Sequence, residues 1–166
     1  MKDYVQALLI EGETMEIPRL VKWRKSWRFP KHVSKWFREF VEGGLSLNVC
    51  AGGSRIGDVR LDLDTTLNPH IQGAMHELPF KSEAFDKVIS DPPWGINFFH
   101  RTWPFFECVR VCKIGGLIAI NSTWIPFSYA VAEIACYVRT DIPFGMASIV
   151  SVFQKFTNRY DNYRSN

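Results

Sequence analysis

Short apolar segments alternate with loops rich in glycine, proline and acidic residues along most of this chain. Apolar runs of roughly four to eight residues between such turn residues are typical of buried β-strands. The pattern predicts strands near residues 47–50, 59–63, 70–73, 86–90, 116–121 and 146–155. Residues 1–30 show no comparable period, and we expect an irregular or partly stranded lead-in there.

Three other segments have the apolar spacing of helices, with hydrophobic residues three or four positions apart. They lie at residues 30–42, 102–112 and 128–137. The first has Pro30 at its start and two glycines, Gly43 and Gly44, at its end, as is common for helices. Strands that alternate with helices predict an α/β sandwich built around a largely parallel sheet.

Length and composition favour one domain. The chain has 166 residues, of which 46% are hydrophobic and 22% charged, which argues against disorder. We expect a single domain over 1–166, with a basic, tryptophan-rich extension and helix at 1–44 and a core at 45–156. The tail at 157–166 is expected either to be frayed or to make a minor phosphate contact. No apolar run approaches the roughly 18 residues of a membrane helix and no signal peptide opens the chain, so we expect a cytoplasmic protein without membrane contact.

The four cysteines are predicted to be core thiols, because each lies in an apolar strand or helix pattern: Cys50, Cys108, Cys112 and Cys136. Cys108 and Cys112 lie four positions apart on a predicted helix, a spacing that serves a metal site where histidines join it. Their apolar surroundings favour reduced thiols instead. We therefore predict neither a metal nor a disulfide.

The most informative motif is Asp91, Pro92, Pro93 and Trp94, which follows a predicted buried strand. The two prolines remove backbone donors and end the strand. What remains is a carboxylate, free carbonyls and an indole face, a set that suits an exocyclic amino group on a flat base. An alternative is a turn in which Asp91 bonds only to its own backbone.

A glycine-rich loop follows the first core strand, at Cys50, Ala51, Gly52 and Gly53. Glycines allow the backbone to pass close to a ligand. The next predicted strand ends at Asp62 and Asp64, where a carboxylate is placed to bind the two hydroxyls of a ribose. The strand after that leads into a loop with Ala74, Met75 and His76.

These blocks occur in the order found in one family. Together with Arg110–Ile120, they make residues 47–155 resemble the class I S-adenosylmethionine-dependent methyltransferases, of the branch with an Asp-Pro-Pro-aromatic motif that methylates exocyclic amino groups. The resemblance implies a Rossmann-like sandwich with one antiparallel strand near 147–156. It also implies that the cofactor binds at Cys50–Gly53 and Asp91, with Asp62 preferred over Asp64 for the ribose. The catalytic residues that the resemblance implies are Asp91, Pro92, Pro93 and Trp94.

Two departures from the family pattern bear on the cofactor. The third loop has Ala74 where the family usually has an acid for the adenine amino group, so we expect backbone at Met75 and stacking on Met75 or His76 to hold the adenine. In addition, only nine positions separate Gly53 from Asp62. The eight residues from Ala51 to Asp58 reach about 26 Å when extended, and the strand that they must run back along is about 17 Å long. A loop can therefore connect the two parallel strands, and we expect the usual crossover helix to be missing or very short.

A basic segment precedes the core. The chain has a net charge of +3, yet residues 19–38 contain eight Lys or Arg and no acid, which leaves −5 for the rest. Interleaved basic and aromatic residues attract phosphates and stack on unpaired bases, so we predict nucleic-acid contacts at Lys22, Trp23, Arg24, Lys25, Trp27, Arg28 and Lys31. The alternatives are a solvated helical face and a surface that docks a partner subunit or a second copy. Trp36 is expected to be core.

The predicted activity is methyl transfer to a base amine, with adenine in DNA as the first substrate. Guanine in transfer RNA is the second, because the motif followed by Gly95 also fits it. A different class of function is a non-catalytic binding subunit that uses the same crevice, which Ala74 and the shortened crossover favour.

Overall fold

A computed structural model describes residues 8–10, 13–15, 28–93, 98–141 and 147–158; for residues 8–10, 13–15 and 98–103 it describes the backbone alone. The helices and strands are, in chain order, β1 (Leu8–Ile10), β2 (Glu13–Met15), α1 (Lys31–Phe40), β3 (Ser46–Val49), β4 (Val59–Asp62), a 3₁₀ turn (Thr65–Leu67), β5 (Ile71–Gln72), β6 (Phe85–Ser90), α2 (Phe98–Val111), β7 (Cys112–Ser122), β8 (Val131–Arg139) and β9 (Ser148–Lys155). None of the helices in these ranges is long and apolar enough to cross a membrane.

One seven-stranded sheet forms the centre of the fold, in the order β5-β4-β3-β6-β7-β9-β8. The pairs β5–β4, β4–β3, β3–β6 and β6–β7 are all parallel. Strand β9 runs antiparallel to β7 on one side and to β8 on the other, so the predicted antiparallel strand is confirmed. The strand order reverses between β3 and β6, and ligands of open α/β sheets bind outside the carboxyl ends of the strands at such a point.

The two helices cover opposite faces of the sheet. Helix α1 buries Val33 and Phe37 against apolar residues of three strands, Ile89, Ala119, Val150 and Val152. Helix α2 begins four residues before the predicted start and buries Phe105 and Val109 against the other face, on Leu47, Val49, Val88 and Ile118. Side chains alternate across a strand, so successive residues of one strand enter the two different cores.

The connection from β3 to β4 has no helix: residues 50–58, all of which the structure describes, form turns and bends. The prediction of a missing crossover helix is confirmed. Buried polar side chains of the sheet hold the loop in place. Asn48 Nδ2 donates to the Ile56 carbonyl at 3.1 Å, and Arg60 Nη1 donates to the Ser54 carbonyl at 3.4 Å. A parallel crossover usually carries a helix, and these bonds stabilise the chain without one.

The same loop is fixed at its far end to the start of β3. The Asp58 carboxylate accepts hydrogen bonds from the Ser46 amide at 2.9 Å and from the Ser46 hydroxyl at 2.7 Å. These bonds, from the hydroxyl first and the amide second, lower the pKa of Asp58. The charged form of Asp58 therefore ties the end of the crossover to the start of β3.

The prediction of a helix at residues 128–137 is wrong, because the chain forms β8 there. This strand pairs along its length with β9 and lies at the edge of the sheet. Three of its large apolar residues are exposed: Ile134, Tyr137 and Val138. Their spacing suits a helix, but here the backbone of this segment pairs with β9 instead of with itself.

Candidate active site

The turn after β3 brings the glycine-rich loop to the carboxyl edge of the sheet. Cys50 and Gly52 have positive φ angles of 56° and 54°, so the chain reverses sharply there. Such a conformation costs a residue with a side chain more than it costs glycine. The Ala51 amide donates to the Leu61 carbonyl at 3.0 Å, which holds the loop against β4.

Asp62, the last residue of β4, connects this loop to the next strand. Its Oδ2 accepts from the Gly52 amide at 2.7 Å and its Oδ1 accepts from the Asp64 amide at 3.0 Å. Two residues predicted from the sequence, Gly52 and Asp62, therefore lie in direct contact. Because both carboxylate oxygens hold a backbone donor, the orientation of the carboxylate is fixed.

Asp64 has a different environment. Its Oδ1 accepts from the Thr66 amide at 2.9 Å and from the Thr66 hydroxyl at 2.6 Å, so that Asp64 caps the 3₁₀ turn. The hydroxyl bond, followed by the amide bond, lowers the pKa of Asp64. The side chain is exposed and its contacts are local, which is typical of a capping role.

Sulfur atoms line the inner side of the glycine-rich loop. Cys50 Sγ lies 3.4 Å from Met75 Sδ. Burial raises the pKa of the Cys50 thiol, and the negative charges of Asp62 and Asp91 raise it further. The thiol is therefore protonated at neutral pH, and it lies close to both carboxylates. Met75 is half-buried, whereas His76 is exposed.

Asp91 follows β6, the strand next to β3. Its amide donates to the Val49 carbonyl at 3.4 Å, which places Asp91 beside the residue that precedes Cys50. Its Oδ1 accepts from Asn121 Nδ2 at 2.8 Å. Pro92 is buried and Pro93 is exposed. The carboxylate that the sequence predicts to bind an amine thus lies at the same edge as the glycine-rich loop.

Asn121 was not among the residues predicted from the sequence. It lies near the end of β7, is 0% exposed, and accepts hydrogen bonds from Ser148 Oγ at 3.0 Å and Arg139 Nη1 at 3.2 Å. A polar residue at the end of an apolar strand was the available signal. Trp124, two residues after β7, was also missed; it is half-buried and lines a small cavity together with Pro92.

Arg139 continues the polar contacts toward the surface. Its guanidinium forms two bonds with Asp141, at 3.0 and 3.1 Å, and Asp141 lies 3.2 Å from His32 Nε2. Burial raises the pKa of Asp141, but the hydrogen bond and the charge of Arg139 outweigh it, and the pKa is lowered overall. Asp141 therefore remains charged and anchors Arg139.

Part of the predicted nucleic-acid segment is described, and it contacts the glycine-rich loop. Arg28 is exposed, and its Nε donates to the Gly53 carbonyl at 3.0 Å. Lys31 is exposed at the start of α1, and Trp36 packs on Phe40 at 5.3 Å between ring centroids. Several predicted residues lie outside the described ranges: Lys22, Trp23, Arg24, Lys25, Trp27, Trp94, Gly95 and 159–166 of the tail.

The cysteines differ in exposure. Cys108 and Cys112 are buried in the core, and burial raises the pKa of Cys112 to about 12. Cys136 is exposed on β8, so the prediction that all four are core thiols is wrong for this one. The helix predicted there would have turned Cys136 inward, whereas the edge strand exposes it. Among the residues that the structure describes, no group of three or more His, Cys, Asp or Glu side chains is arranged to hold a metal.

No family model matches this sequence, and no curated protein matches it either. Solved structures do match. The chain superimposes on a putative RNA methyltransferase, PH1948 from Pyrococcus horikoshii, with a TM-score of 0.62 and 14% identity, over 83% of this chain and 93% of that one. It superimposes on TrmN from Thermus thermophilus with a TM-score of 0.60 and 17% identity, over 75% of this chain and 48% of TrmN. The chain thus matches about half the length of TrmN.

A third structure contains a ligand. It is the 1,6-didemethyltoxoflavin-N1-methyltransferase from Burkholderia thailandensis, solved with S-adenosylhomocysteine, with a TM-score of 0.57 and 10% identity over 76% of this chain and 78% of that one. At these identities the similarity establishes the fold. The chain has the Rossmann-like methyltransferase fold.

Proposed function

We propose that this chain is an S-adenosylmethionine-dependent methyltransferase that acts on an exocyclic amino group of a nucleic-acid base. The observation that carries the proposal is the Asp91 carboxylate, held by Asn121 beside the end of β3, at the edge where Gly52 and Asp62 also meet. The fold supports the class of reaction, and the S-adenosylhomocysteine in the Burkholderia enzyme supports the cofactor.

The residues at this edge fit the cofactor. Asp62 uses two acceptor positions on backbone amides, and a carboxylate has about four, so positions remain for the hydroxyls of a ribose. Asp64 is already bonded to Thr66 on its own turn, which favours Asp62 as the ribose ligand. Ala74 stands where the family usually has an acid that binds the adenine amino group. The half-buried thioether of Met75 offers an apolar surface to the adenine instead.

The proposed chemistry makes modest demands on the protein. The bound cofactor supplies a methyl group on a sulfonium; the N–C bond forms as the C–S bond breaks, and sulfur keeps the electron pair. Asp91 and the Pro92 carbonyl accept the N–H bonds of the amine and so direct its lone pair at the methyl carbon. Asp91 also stabilises the positive charge that develops on nitrogen, and the nitrogen then loses a proton to solvent.

Two substrates suit this acceptor pair. Adenine in DNA is the first candidate, because the Asp-Pro-Pro-aromatic motif is typical of amino-methyltransferases, and Trp94 would stack on a base flipped from the duplex. Guanine in RNA is the second, and the observation that favours it is the similarity of the fold to a putative RNA methyltransferase. Both present a planar base with an exocyclic amine that is conjugated to the ring.

The basic segment supplies the nucleic-acid contacts in this proposal. Arg28 donates to the Gly53 carbonyl at 3.0 Å, so this residue of the segment contacts the cofactor loop. A phosphate backbone held by Lys22, Arg24, Lys25, Arg28 and Lys31 would bring a base close to Asp91. A second copy of the chain or a partner subunit would supply further recognition of the target.

A non-catalytic cofactor-binding or nucleic-acid-binding subunit is the second class of function. The specific observations in its favour are Ala74 in the third loop and the crossover without a helix at residues 50–58. Such a protein would bind S-adenosylmethionine or nucleic acid but leave both unchanged.

The test is transfer of a labelled methyl group to separate pools of DNA, transfer RNA and ribosomal RNA, with Asp91→Ala as the matched control. Label in one pool that depends on Asp91, followed by identification of the methylated nucleoside, would support the proposal and select the substrate. Binding of the cofactor by calorimetry without label in any pool would favour the non-catalytic subunit. No binding of the cofactor by folded protein would overturn the methyltransferase and the cofactor-binding subunit, and would leave a nucleic-acid-binding subunit.

A further inference from the structure

Asn121 occupies a position from which it determines the geometry of Asp91. Its amide nitrogen donates to Asp91 Oδ1 at 2.8 Å, and the whole side chain is inaccessible to solvent. Asn121 is on β7 and Asp91 follows β6, so the bond crosses between two neighbouring parallel strands at the carboxyl edge. A buried bond of this kind has no water to replace it if it is lost.

The orientation of the Asn121 amide is determined by the hydrogen bonds that its carbonyl oxygen accepts. The carbonyl oxygen accepts from Ser148 Oγ and Arg139 Nη1, and both of these groups are donors in this arrangement. A flipped amide would place its NH₂ group against the Arg139 guanidinium, and two donors would then face each other. The NH₂ group therefore points at Asp91.

Arg139 is itself held rigidly. Its side chain is 10% exposed and forms two bonds with Asp141, so it cannot leave Asn121 without breaking a charged pair. Charge-assisted bonds with two points of contact are the stronger and more directional kind. The orientation of Asp91 is therefore fixed through Asn121 by a partly buried arginine on the edge strand.

We propose that Asn121 is a positioning residue for methyl transfer: its donor bond fixes the plane of the Asp91 carboxylate and keeps Oδ1 an acceptor. This inference rests on the proposed function, in which Asp91 directs the lone pair of the target amine. Asn121 does not touch the base in this scheme. A displacement of about 1 Å in a group that orients a reacting atom costs on the order of 100-fold in rate.

The informative variant is Asn121→Asp, which keeps the size of the side chain but replaces the NH₂ donor by an oxygen. The introduced carboxyl would face Asp91 at about 2.8 Å. Two carboxylates at that distance cannot both ionise freely, so one proton is shared between them and one pKa is raised. A single shared proton restores the donor bond to Asp91 Oδ1.

The expected result is an altered pH profile. At pH 8, kcat of Asn121→Asp should fall about 100-fold, with the Kd for S-adenosylhomocysteine unchanged, and it should recover as the pH falls and the shared proton binds. The wild type should show no such recovery. Among the described residues, Cys50, directly after β3, is coupled to Asp91, and Arg139 on β8 donates to Asn121; Asp141 and His32 of α1 continue this chain of contacts. They are common to both proteins, so the difference between the two profiles isolates the introduced carboxyl.

A second readout needs no substrate. Carbon-13 spectra of carboxyl-labelled aspartate, with the Asp91 signal assigned from Asp91→Asn, should show Asp91 of the variant titrating in two coupled steps, and in one step in the wild type. Ser151→Ala is the control, since it removes a buried hydroxyl from the neighbouring β9 that has no hydrogen-bond partner among the described residues, and it should leave both readouts unchanged.

The outcomes separate the two proposals. An Asp91 titration unaffected by Asn121→Asp, or a pH-independent loss of kcat, would overturn the positioning role. Coupled titration in a protein whose wild type methylates no pool would overturn the proposed function and leave the Asn121–Asp91 contact established.

Discussion

Replacing Asp62 by Asn tests the cofactor site. The neighbouring Asp64 provides a comparison, because the two carboxylates accept hydrogen bonds from different groups. In the wild type both oxygens of Asp62 accept a backbone N–H, from Gly52 at 2.7 Å and from Asp64 at 3.0 Å. An amide has one acceptor oxygen, so its NH₂ group must face one of these donors. We therefore expect Asp62→Asn to lose one hydrogen bond and to destabilise the fold by about 1–3 kcal/mol.

The effect on the cofactor should be separate from the effect on stability. Hydrogen bonds to a charged acceptor contribute about 1.5–3 kcal/mol, and Asp62 is proposed to accept from the ribose. Loss of one such bond weakens affinity about 10- to 100-fold, since 1.4 kcal/mol corresponds to a factor of ten. Calorimetric titration with S-adenosylhomocysteine measures this, and thermal unfolding of the free protein measures the stability effect.

Asp64→Asn is the matched control for this prediction. Asn is as good a capping residue as Asp, so the 3₁₀ turn should persist with its bond to Thr66. We expect the affinity for S-adenosylhomocysteine to remain at the wild-type level. If Asp64→Asn weakens binding as much as Asp62→Asn does, or if neither variant changes it, the assignment of the ribose to Asp62 is wrong.

Three further predictions follow from the fold and the site. Asp91→Ala should reduce methyl transfer on the order of 100-fold or more with little change in cofactor affinity, and a variant that turns over like the wild type would refute the role of Asp91. Replacing Lys22, Arg24, Lys25 and Arg28 by Ala should weaken nucleic-acid binding and lower the slope of log K against log salt by roughly one unit for each lost phosphate contact. An unchanged slope together with lost self-association would indicate that these residues form a docking surface. The pKa of Asp58 is lowered from 3.8 in the folded state, so its bonds to Ser46 add stability above that pH and lose it as pH falls through the folded pKa. The difference in unfolding free energy between the wild type and Asp58→Asn should therefore shrink in acid, and a difference that is constant with pH would contradict this.

The central strands and part of the site could be predicted because their signals are local. Apolar runs bounded by glycine and proline locate β3, β4 and β6, and the short distance between the glycines and Asp62 shows that no crossover helix fits. The contact between Gly52 and Asp62 follows from topology, since the carboxyl ends of neighbouring parallel strands meet at one edge.

Strand β8 and Asn121 could not be predicted because their environments depend on distant residues. The helical spacing within β8 is overridden by pairing with β9, a strand that begins nine residues after β8 ends. Asn121 acquires its role from Asp91, 30 positions earlier, and from Arg139 and Ser148, 18 and 27 positions later. A polar residue near a strand end carries no sign of such partners by itself.

The unequal environments of the thiols have a practical consequence for labelling this protein. Cys108 and Cys112 are buried and the pKa of Cys50 is raised, so alkylating reagents, which attack the thiolate, should react with these three slowly. Cys136 is exposed on the edge strand. A maleimide dye should therefore attach at one site, Cys136 on β8, without any other cysteine having to be removed. Its fluorescence would then report on partners that approach this edge of the sheet.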